Sequence, residues 1–206
     1  MKTFYKEQWE QFKNKYLMAF LVAMIVSLVA GIGVYAFLLA NSGLLEMVMG
    51  ELEAQFSDLG VQSDTGHQEL FWVILLNNLQ VSLLVVLLGF IPIVVLPLLS
   101  PIATAGSVSV VMAYVQIHGG ESPLPLFVTG ILPHGIIEMV GLFLASAVGI
   151  VLSIDTAKKL FTEARRDIRL SESIHQAFKM YIGVVAPLIV LAALIEGFIT
   201  PLLLTS

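Results

Sequence analysis

The chain of 206 residues is 58% hydrophobic and only 12% charged, and its mean hydropathy is +0.94. In soluble domains apolar residues make up about half of the chain at most, so this composition excludes a soluble globular protein and indicates an integral membrane protein. The absence of cysteine excludes disulfides and thiolate metal sites. The net charge is −5 and the ten basic residues fall in two short stretches, so no nucleic-acid-binding patch is predicted.

Apolar stretches predict an all-α, polytopic transmembrane helix bundle, with residues 1–206 forming a single membrane domain. A hydrocarbon core of roughly 30 Å requires about 20 residues of helix. The five predicted spans are residues 17–39, 70–91, 93–116, 131–154 and 181–204. The first is predicted to be retained, because a cleaved signal peptide has an apolar region of only roughly 7–15 residues.

Two connecting regions are predicted to have structure of their own. Residues 44–59 carry apolar side chains at helical spacing, which favours an amphipathic helix on the outer membrane surface, with a solvated connector as the alternative. Three prolines then break any continuous helix after the second span. They are Pro92, Pro97 and Pro101. Residues 93–116 are therefore a kinked span or a turn followed by a span, and the sequence leaves open whether residues 92–129 cross fully or partly re-enter.

Small residues recur every four positions in the first and fourth spans, a spacing that lets another helix approach closely. They are Ala19, Ala23, Ser27 and Gly31 in the first span, and Gly141, Ala145, Gly149 and Ser153 in the fourth. These stripes predict tight helix packing and favour a homodimer.

The basic residues predict the orientation in the membrane. All ten lie in residues 1–16 or in the polar segment 155–179, and none lies in the acidic connector between the first two spans. The positive-inside rule therefore places the N terminus and the predicted loop 155–179 in the cytoplasm. Within this loop, Ser173 and Gln176 have the spacing of a capping box and could start the last helix. Five spans then place the C terminus outside, in a multi-pass protein of the cell membrane.

Polar side chains from three spans are predicted to share one depth. His134 and Glu138 lie four residues apart in an apolar run, so a helix places them on one face, one turn apart. Asn78, beside Asn77, lies eight residues into the second span, and Glu196 lies eight residues before the end of the fifth. Both positions fall roughly 12 Å below the outer boundary at 1.5 Å per residue, so all five groups are expected to converge.

This polar layer predicts a divalent metal site with His134, Glu138, Glu196, Asn78 and Asn77 as ligands. Imidazole nitrogen and carboxylate oxygen suit zinc, with iron or manganese as alternatives. A metal would also offset the burial of two acids, each of which costs roughly 2.5–3.5 kcal/mol at a bilayer centre. In the alternative reading, His134 hydrogen-bonds a glutamate, one carboxylate is protonated and the asparagine caps a broken helix.

At these residues the chain resembles a known family. The stretch ILPHGIIEM, the small-residue run after it, the paired asparagines of LLNNLQVSLLVVLLGF and the basic N terminus are similar to the stage II sporulation protein M family. The resemblance carries over Pro133, His134, Gly135 and Glu138, together with Asn77 and Asn78. It implies a membrane scaffold, non-catalytic itself, that recruits peptidoglycan hydrolases or other envelope proteins in sporulation or related processes.

Three classes of function follow from these features. The first is a scaffold or assembly factor, which the sequence favours. The second is an intramembrane metal-dependent hydrolase, in which a carboxylate acts as general base on metal-bound water. The chain lacks a His-Glu-x-x-His motif, so the sequence does not favour an enzyme. The third is a small transporter or channel, for which broken helices and mid-membrane acids are usual.

Overall fold

The computed structural model describes residues 2–60, 65–119, 122–162 and 169–204, and the regular structure in these ranges is entirely helical. It comprises six helices: α1 (Lys2–Leu39), α2 (Ser42–Asp58), α3 (His67–Phe90), α4 (Leu96–His118), α5 (Leu124–Phe161) and α6 (Leu170–Leu203). All except α2 are long and apolar enough to cross a membrane. The predicted all-α bundle with five spans is confirmed.

Three of the helices are longer than a bilayer is thick. Helices α1 and α5 have 38 residues each and α6 has 34, so they reach about 50–57 Å, against roughly 30 Å of hydrocarbon. The predicted loop 155–179 is therefore largely helical, since α5 continues to Phe161 and α6 begins at Leu170. Part of that prediction, residues 163–168, lies outside the described residues. A helix pairs its own backbone groups and need not end at the membrane boundary.

One carboxylate joins three helices at the end of the bundle that carries Lys15, Lys158 and Lys159, called here the basic end. The Lys15 Nζ atom of α1 lies 3.1 Å from Oδ2 of Asp155 in α5. The Ser173 hydroxyl of α6 donates to the same oxygen at 2.6 Å. The Asp155 side chain is 17% exposed, so this contact is partly shielded from water and fixes the register of α1, α5 and α6.

The proline-rich segment after α3 forms a turn, and α4 then begins at Leu96. Of the two predicted alternatives, the structure has the turn followed by a full-length helix. Helix breaks leave carbonyl oxygens without partners, and hydroxyls on one face of α5 bind them. Ser146 donates to the Pro97 carbonyl at 2.5 Å, and Ser153 donates to the Ile91 carbonyl at 2.7 Å. The apolar residues from Leu124 onward belong to α5 and do not form a separate re-entrant piece.

Glycine permits close approach of α3 and the start of α4 to α5. A Cβ atom on Gly149 would lie 2.6 Å from the backbone oxygen of Val85 and 3.0 Å from Pro97. A Cβ atom on Gly89 would lie 2.6 Å from the Gly149 carbonyl oxygen. Neither backbone can move without opening this contact, so α5 and α3 are in contact through their main chains here.

The substitution Gly149→Ala is therefore expected to destabilise the protein by about 1–3 kcal/mol, the usual effect of overpacking. Gly135→Ala in the same helix is the matched control, because its Cβ would meet only Ile131 Cγ2 at 3.5 Å. We expect the control to keep or slightly raise the midpoint of thermal unfolding, since alanine favours helix. Unfolding monitored by size-exclusion chromatography in detergent measures both, and equal midpoints would refute the close contact.

Both small-residue stripes pack within the chain. Gly141 lies against Ile189 of α6, and Ala145 is fully buried in the main core. In the first stripe Gly31 lies against Ala105 of α4, and its carbonyl accepts a hydrogen bond from Ser109 at 2.8 Å. Since the prediction of a homodimer was based on these stripes, an interface between two copies would have to use other faces.

Helix α2 docks on α1 and α4 at the end of the bundle opposite the basic end. Leu45 is fully buried and Leu52 is 8% exposed, and both pack with Val110 and Ala113 of α4. His118 Nε2 at the end of α4 also lies 2.8 Å from a Glu46 carboxylate oxygen. The predicted amphipathic helix is present, and its apolar face contacts protein along its first three turns.

Candidate metal centre

Helix α5 supplies two of the predicted ligands. A π-helical turn, Phe127–Ile131, precedes them, and a regular α-helix follows from Leu132. Pro133 lies two residues after this turn; Pro187 and Pro201 of α6 likewise lie two residues after the π-helical turns Tyr181–Val185 and Ile195–Ile199. A proline lacks an N–H and clashes with the preceding turn, so these wider turns accommodate it. The regular helix after Pro133 places His134 and Glu138 on one face.

Helix α6 runs antiparallel to α5 and supplies the third ligand from within a π-helical turn. Glu196 Oε1 lies 3.9 Å from His134 Nε2. One ligand atom each from His134, Glu138 and Glu196 all lie within 4.8 Å of one another. The structure thus brings together the three ionisable groups that the sequence places at one depth.

Thr200 completes the arrangement, and the sequence analysis missed it. Its hydroxyl oxygen lies 3.3 Å from His134 Nδ1, and the residue is 6% exposed. In the tautomer with the proton on Nδ1, this N–H donates to Thr200 and Nε2 presents its lone pair to the carboxylates. A second hydrogen bond of this kind orients histidine ligands in metal sites. The sequence did contain a signal for Thr200, because Glu196 and Thr200 are four residues apart, the same spacing as His134 and Glu138.

The cluster lies far from the basic end and is only partly shielded. His134 and Glu138 are roughly 32 and 25 Å from Asp155 along α5, at 1.5 Å per residue. The His134 side chain is 13% exposed and that of Glu196 is 28% exposed. Behind Glu196, Gly197 packs against Phe71 of α3, where a Cβ would lie 2.8 Å from Phe71 Cβ. The centroids of the Phe71 and Phe198 rings are 5.6 Å apart.

The two asparagines follow Phe71 on α3. Phe71, about two turns before Asn78, packs against Gly197, the neighbour of Glu196. The Asn77 amide donates to Asn78 Oδ1 at 3.3 Å, and among the described residues no hydrogen bond joins either amide to the three ionisable groups. The structure brings the three ionisable groups together from two helices. The ligand role of Asn77 and Asn78 stays a prediction.

The donor set suits a divalent metal. The residues offer one imidazole nitrogen and two carboxylates, a combination found in zinc sites. Ligand atoms around a tetrahedral zinc lie roughly 3.4 Å apart, given metal–ligand distances of about 2.1 Å. The ligand atoms of His134, Glu138 and Glu196 are at most 4.8 Å apart. This is little more than about 1 Å wider than the zinc geometry requires, and side-chain rotation can close the difference. The group of His134, Glu138 and Glu196 could thus hold a metal ion.

Five long apolar helices define a multi-pass membrane protein. Comparison with protein families then gives a match to stage II sporulation protein M over residues 17–201, nearly the whole chain. The chain belongs to the stage II sporulation protein M family, so the resemblance seen in the sequence is confirmed. It matches no curated protein and no solved structure.

Proposed function

We propose that this protein is a multi-pass scaffold of the cell membrane in which a divalent metal, with zinc favoured, holds α6 to α5. The observation that supports this most is the convergence of His134, Glu138 and Glu196 from two antiparallel helices. These helices also meet at the basic end through Ser173 and Asp155. A metal would therefore fix the far end of a helix pair whose near end is already joined.

The energetics favour a cation in the cluster. Two carboxylates, partly shielded from water and within 4.8 Å of each other, repel when both are ionised. A bound zinc would neutralise them and take its nitrogen ligand from His134. Thr200 would hold the imidazole in the metal-binding tautomer.

The proposed topology places the cluster near the outer surface. All ten Lys and Arg residues lie in residues 1–16 or 155–179, so the basic end faces the cytoplasm. The N terminus is then cytoplasmic and the C terminus is outside. The cluster and α2 lie at the outer end, on the side where peptidoglycan and its remodelling enzymes are found in bacteria. The family name points to sporulation as one process that such a scaffold serves.

We expect the scaffold to assemble peptidoglycan hydrolases or other envelope proteins. If so, a hydrolase should co-purify with the full-length protein from detergent-solubilised membranes of its own host. Glu138→Gln should lose most of this partner, because the metal no longer holds the end of α6 that lies opposite the basic end. Glu53→Gln, an exposed acid on α2, is the matched control and should retain it. Equal retention by the wild type and Glu138→Gln would contradict a role of the cluster in assembly.

A metal-dependent hydrolase is the second candidate, favoured by one observation. The cluster has three ligands among the described residues, and catalytic zinc sites use three protein ligands plus a water. Against it, the chain has no His-Glu-x-x-His motif. Metal-dependent cleavage of a peptide or lipid by the purified wild-type protein, with no hydrolase partner retained, would favour the enzyme over the scaffold.

A further inference from the structure

Helix α3 carries one glutamine, Gln80, at the centre of its outward face. The buried residues of this helix lie on the side that packs against α5 and α6. They include Leu75, Ser82, Val85 and Val86. At about 100° per residue, Gln80 points almost directly away from the middle of that side, and it is exposed. Its side chain therefore faces lipid in a single copy of the protein.

Gln80 also lies at mid-depth in the membrane. It is roughly 15 Å from both Leu70, where the second predicted span begins, and Phe90, where α3 ends, at 1.5 Å per residue. Its side chain cannot reach the membrane surface over this distance. Among the described residues of the five predicted spans, the exposed amide or charged side chains are those of Gln80 and Gln116, and Gln116 lies at the end of its span.

The other polar side chains of this stretch of α3 have partners within the chain. The Ser82 hydroxyl lies 3.3 Å from the Tyr181 hydroxyl, and the Asn77 amide donates to Asn78. Gln80 makes no hydrogen bond to any residue that the structure describes. Lipid tails neither donate nor accept hydrogen bonds, so an amide without a partner is unfavourable here. A second polar group at the same depth would remove this cost.

The membrane itself favours a second copy of the chain as the source of that group. All copies insert with the same orientation, so a closed dimer has its two-fold axis along the membrane normal. The two α3 helices are then parallel, and a residue that faces the axis meets its own counterpart at the same depth. A glutamine amide both donates and accepts hydrogen bonds, so Gln80 is complementary to itself. Another protein's helix would need a matching polar group at this depth.

The leucines beside Gln80 have the spacing of a helix-pairing seam. Leu76, Leu83 and Leu87 are exposed. Together with Gln80 they follow one another at intervals of four, three and four residues, which are the a and d positions of a heptad. Membrane helices commonly cross with this left-handed geometry. A single polar residue at such a position fixes the register and the number of chains.

We propose that two copies of this chain form a parallel dimer through α3. The two Gln80 amides hydrogen-bond each other at the centre of the bilayer, and Leu76, Leu83 and Leu87 pack around them. This face differs from both small-residue stripes, which pack within the chain. None of the four residues belongs to the metal cluster, so the dimer and the metal site can fail independently.

Disulfide cross-linking of the full-length protein in membranes tests the dimer, because the chain has no cysteine of its own. Leu76→Cys places one thiol per chain on the proposed seam, where two copies come within the roughly 7 Å between Cα atoms that a disulfide requires. We expect mild oxidation to convert most of this variant to a covalent dimer. Val29→Cys is the matched control, because Val29 is 64% exposed near the middle of the α1 span. It should remain largely monomeric at the same protein density.

Variants of Gln80 test the hydrogen bond. Gln80→Leu should lower the association constant about threefold to twentyfold, the effect of losing one interhelical hydrogen bond in a membrane, and Gln80→Asn should retain most of it. Energy transfer between labelled chains at increasing lipid dilution measures this constant. Since Gln80 is exposed and has no partner among the described residues, Gln80→Leu should leave the monomer folded and monodisperse.

Three results would overturn the proposal. Cross-linking of Leu76→Cys no greater than that of Val29→Cys would exclude the dimer. Equal association constants for the wild type and Gln80→Leu would exclude the role of the amide. A disulfide from Leu76→Cys to a different membrane protein, with no dimer formed, would show that another protein's helix occupies this face.

Discussion

Glu138→Gln is expected to lower the affinity of the purified protein for zinc by more than about 100-fold. Loss of a group that only hydrogen-bonds a metal ligand lowers affinity by about 10–100-fold, and Glu138 would be a ligand itself. Glutamine keeps the size of the side chain but removes the anionic oxygen that would bind the metal. The group contributes one of only three ligand atoms within 4.8 Å of one another. Competition with a chromogenic chelator in detergent measures the affinity. His134→Ala should lose affinity to a similar extent.

Glu53→Gln is the control, because it removes an exposed acid of α2 that lies outside the cluster. It should bind zinc like the wild type. If Glu138→Gln and Glu53→Gln bind zinc equally, the ion is held elsewhere. Monodispersity by size-exclusion chromatography distinguishes a lost ligand from a lost fold.

Thr200→Val is expected to weaken zinc binding by about 10–100-fold, the effect typical of removing a hydrogen-bond partner of a ligating histidine. Valine matches threonine in shape but cannot bond His134 Nδ1, which lies 3.3 Å from the hydroxyl. Thr200→Ser retains the hydroxyl and should restore most of the affinity. The imidazole tautomer, observed by nitrogen NMR of the labelled protein, gives an independent readout.

Two results would contradict this role for Thr200. One is equal zinc affinity for the valine and serine variants. The other is an unchanged proton on His134 Nδ1 in Thr200→Val, which would show that another group fixes the tautomer. A loss of stability alone would affect the midpoint of unfolding in both variants and leave the tautomer unchanged.

The sequence was sufficient for those parts of the site that depend on spacing within a regular helix. His134 and Glu138 lie four residues apart after Pro133, and they share a face as predicted. Glu196 was predicted from depth alone, and it does lie beside them. Depth fixes only the position along a helix axis. It does not fix the face of a helix, so the ligand role of Asn77 and Asn78 stays a prediction.

The π-helical turns explain why the face of a residue was hard to predict in α6. Each wide turn adds a residue and rotates all later side chains relative to a regular helical wheel. Glu196 lies inside such a turn and Thr200 follows it. The positions of the turns follow from Pro187 and Pro201, but an accurate prediction needs to know that proline widens the preceding turn here and does not end the helix.

The long helical ends were missed for a different reason. Segment 155–179 is polar and was predicted as a loop, yet α5 and α6 extend into it from either side. The composition of a segment indicates where the hydrocarbon core of the bilayer ends. The ends of a helix depend instead on contacts such as those of Asp155 with Lys15 and Ser173. Similarly, the prolines after α3 indicated a break, but only the structure shows that Ser146 and Ser153 bind the freed carbonyls.

The most direct test of the metal-linked helix pair is elemental analysis of the full-length protein, purified in detergent and dialysed against chelator-free buffer. We predict about one zinc per chain, the stoichiometry of a single site built from His134, Glu138 and Glu196. Iron or manganese at the same stoichiometry would keep the site and change its ion. A monodisperse protein without stoichiometric metal would contradict the account and leave His134, Glu138 and Glu196 as a metal-free cluster, with His134 hydrogen-bonded to Thr200.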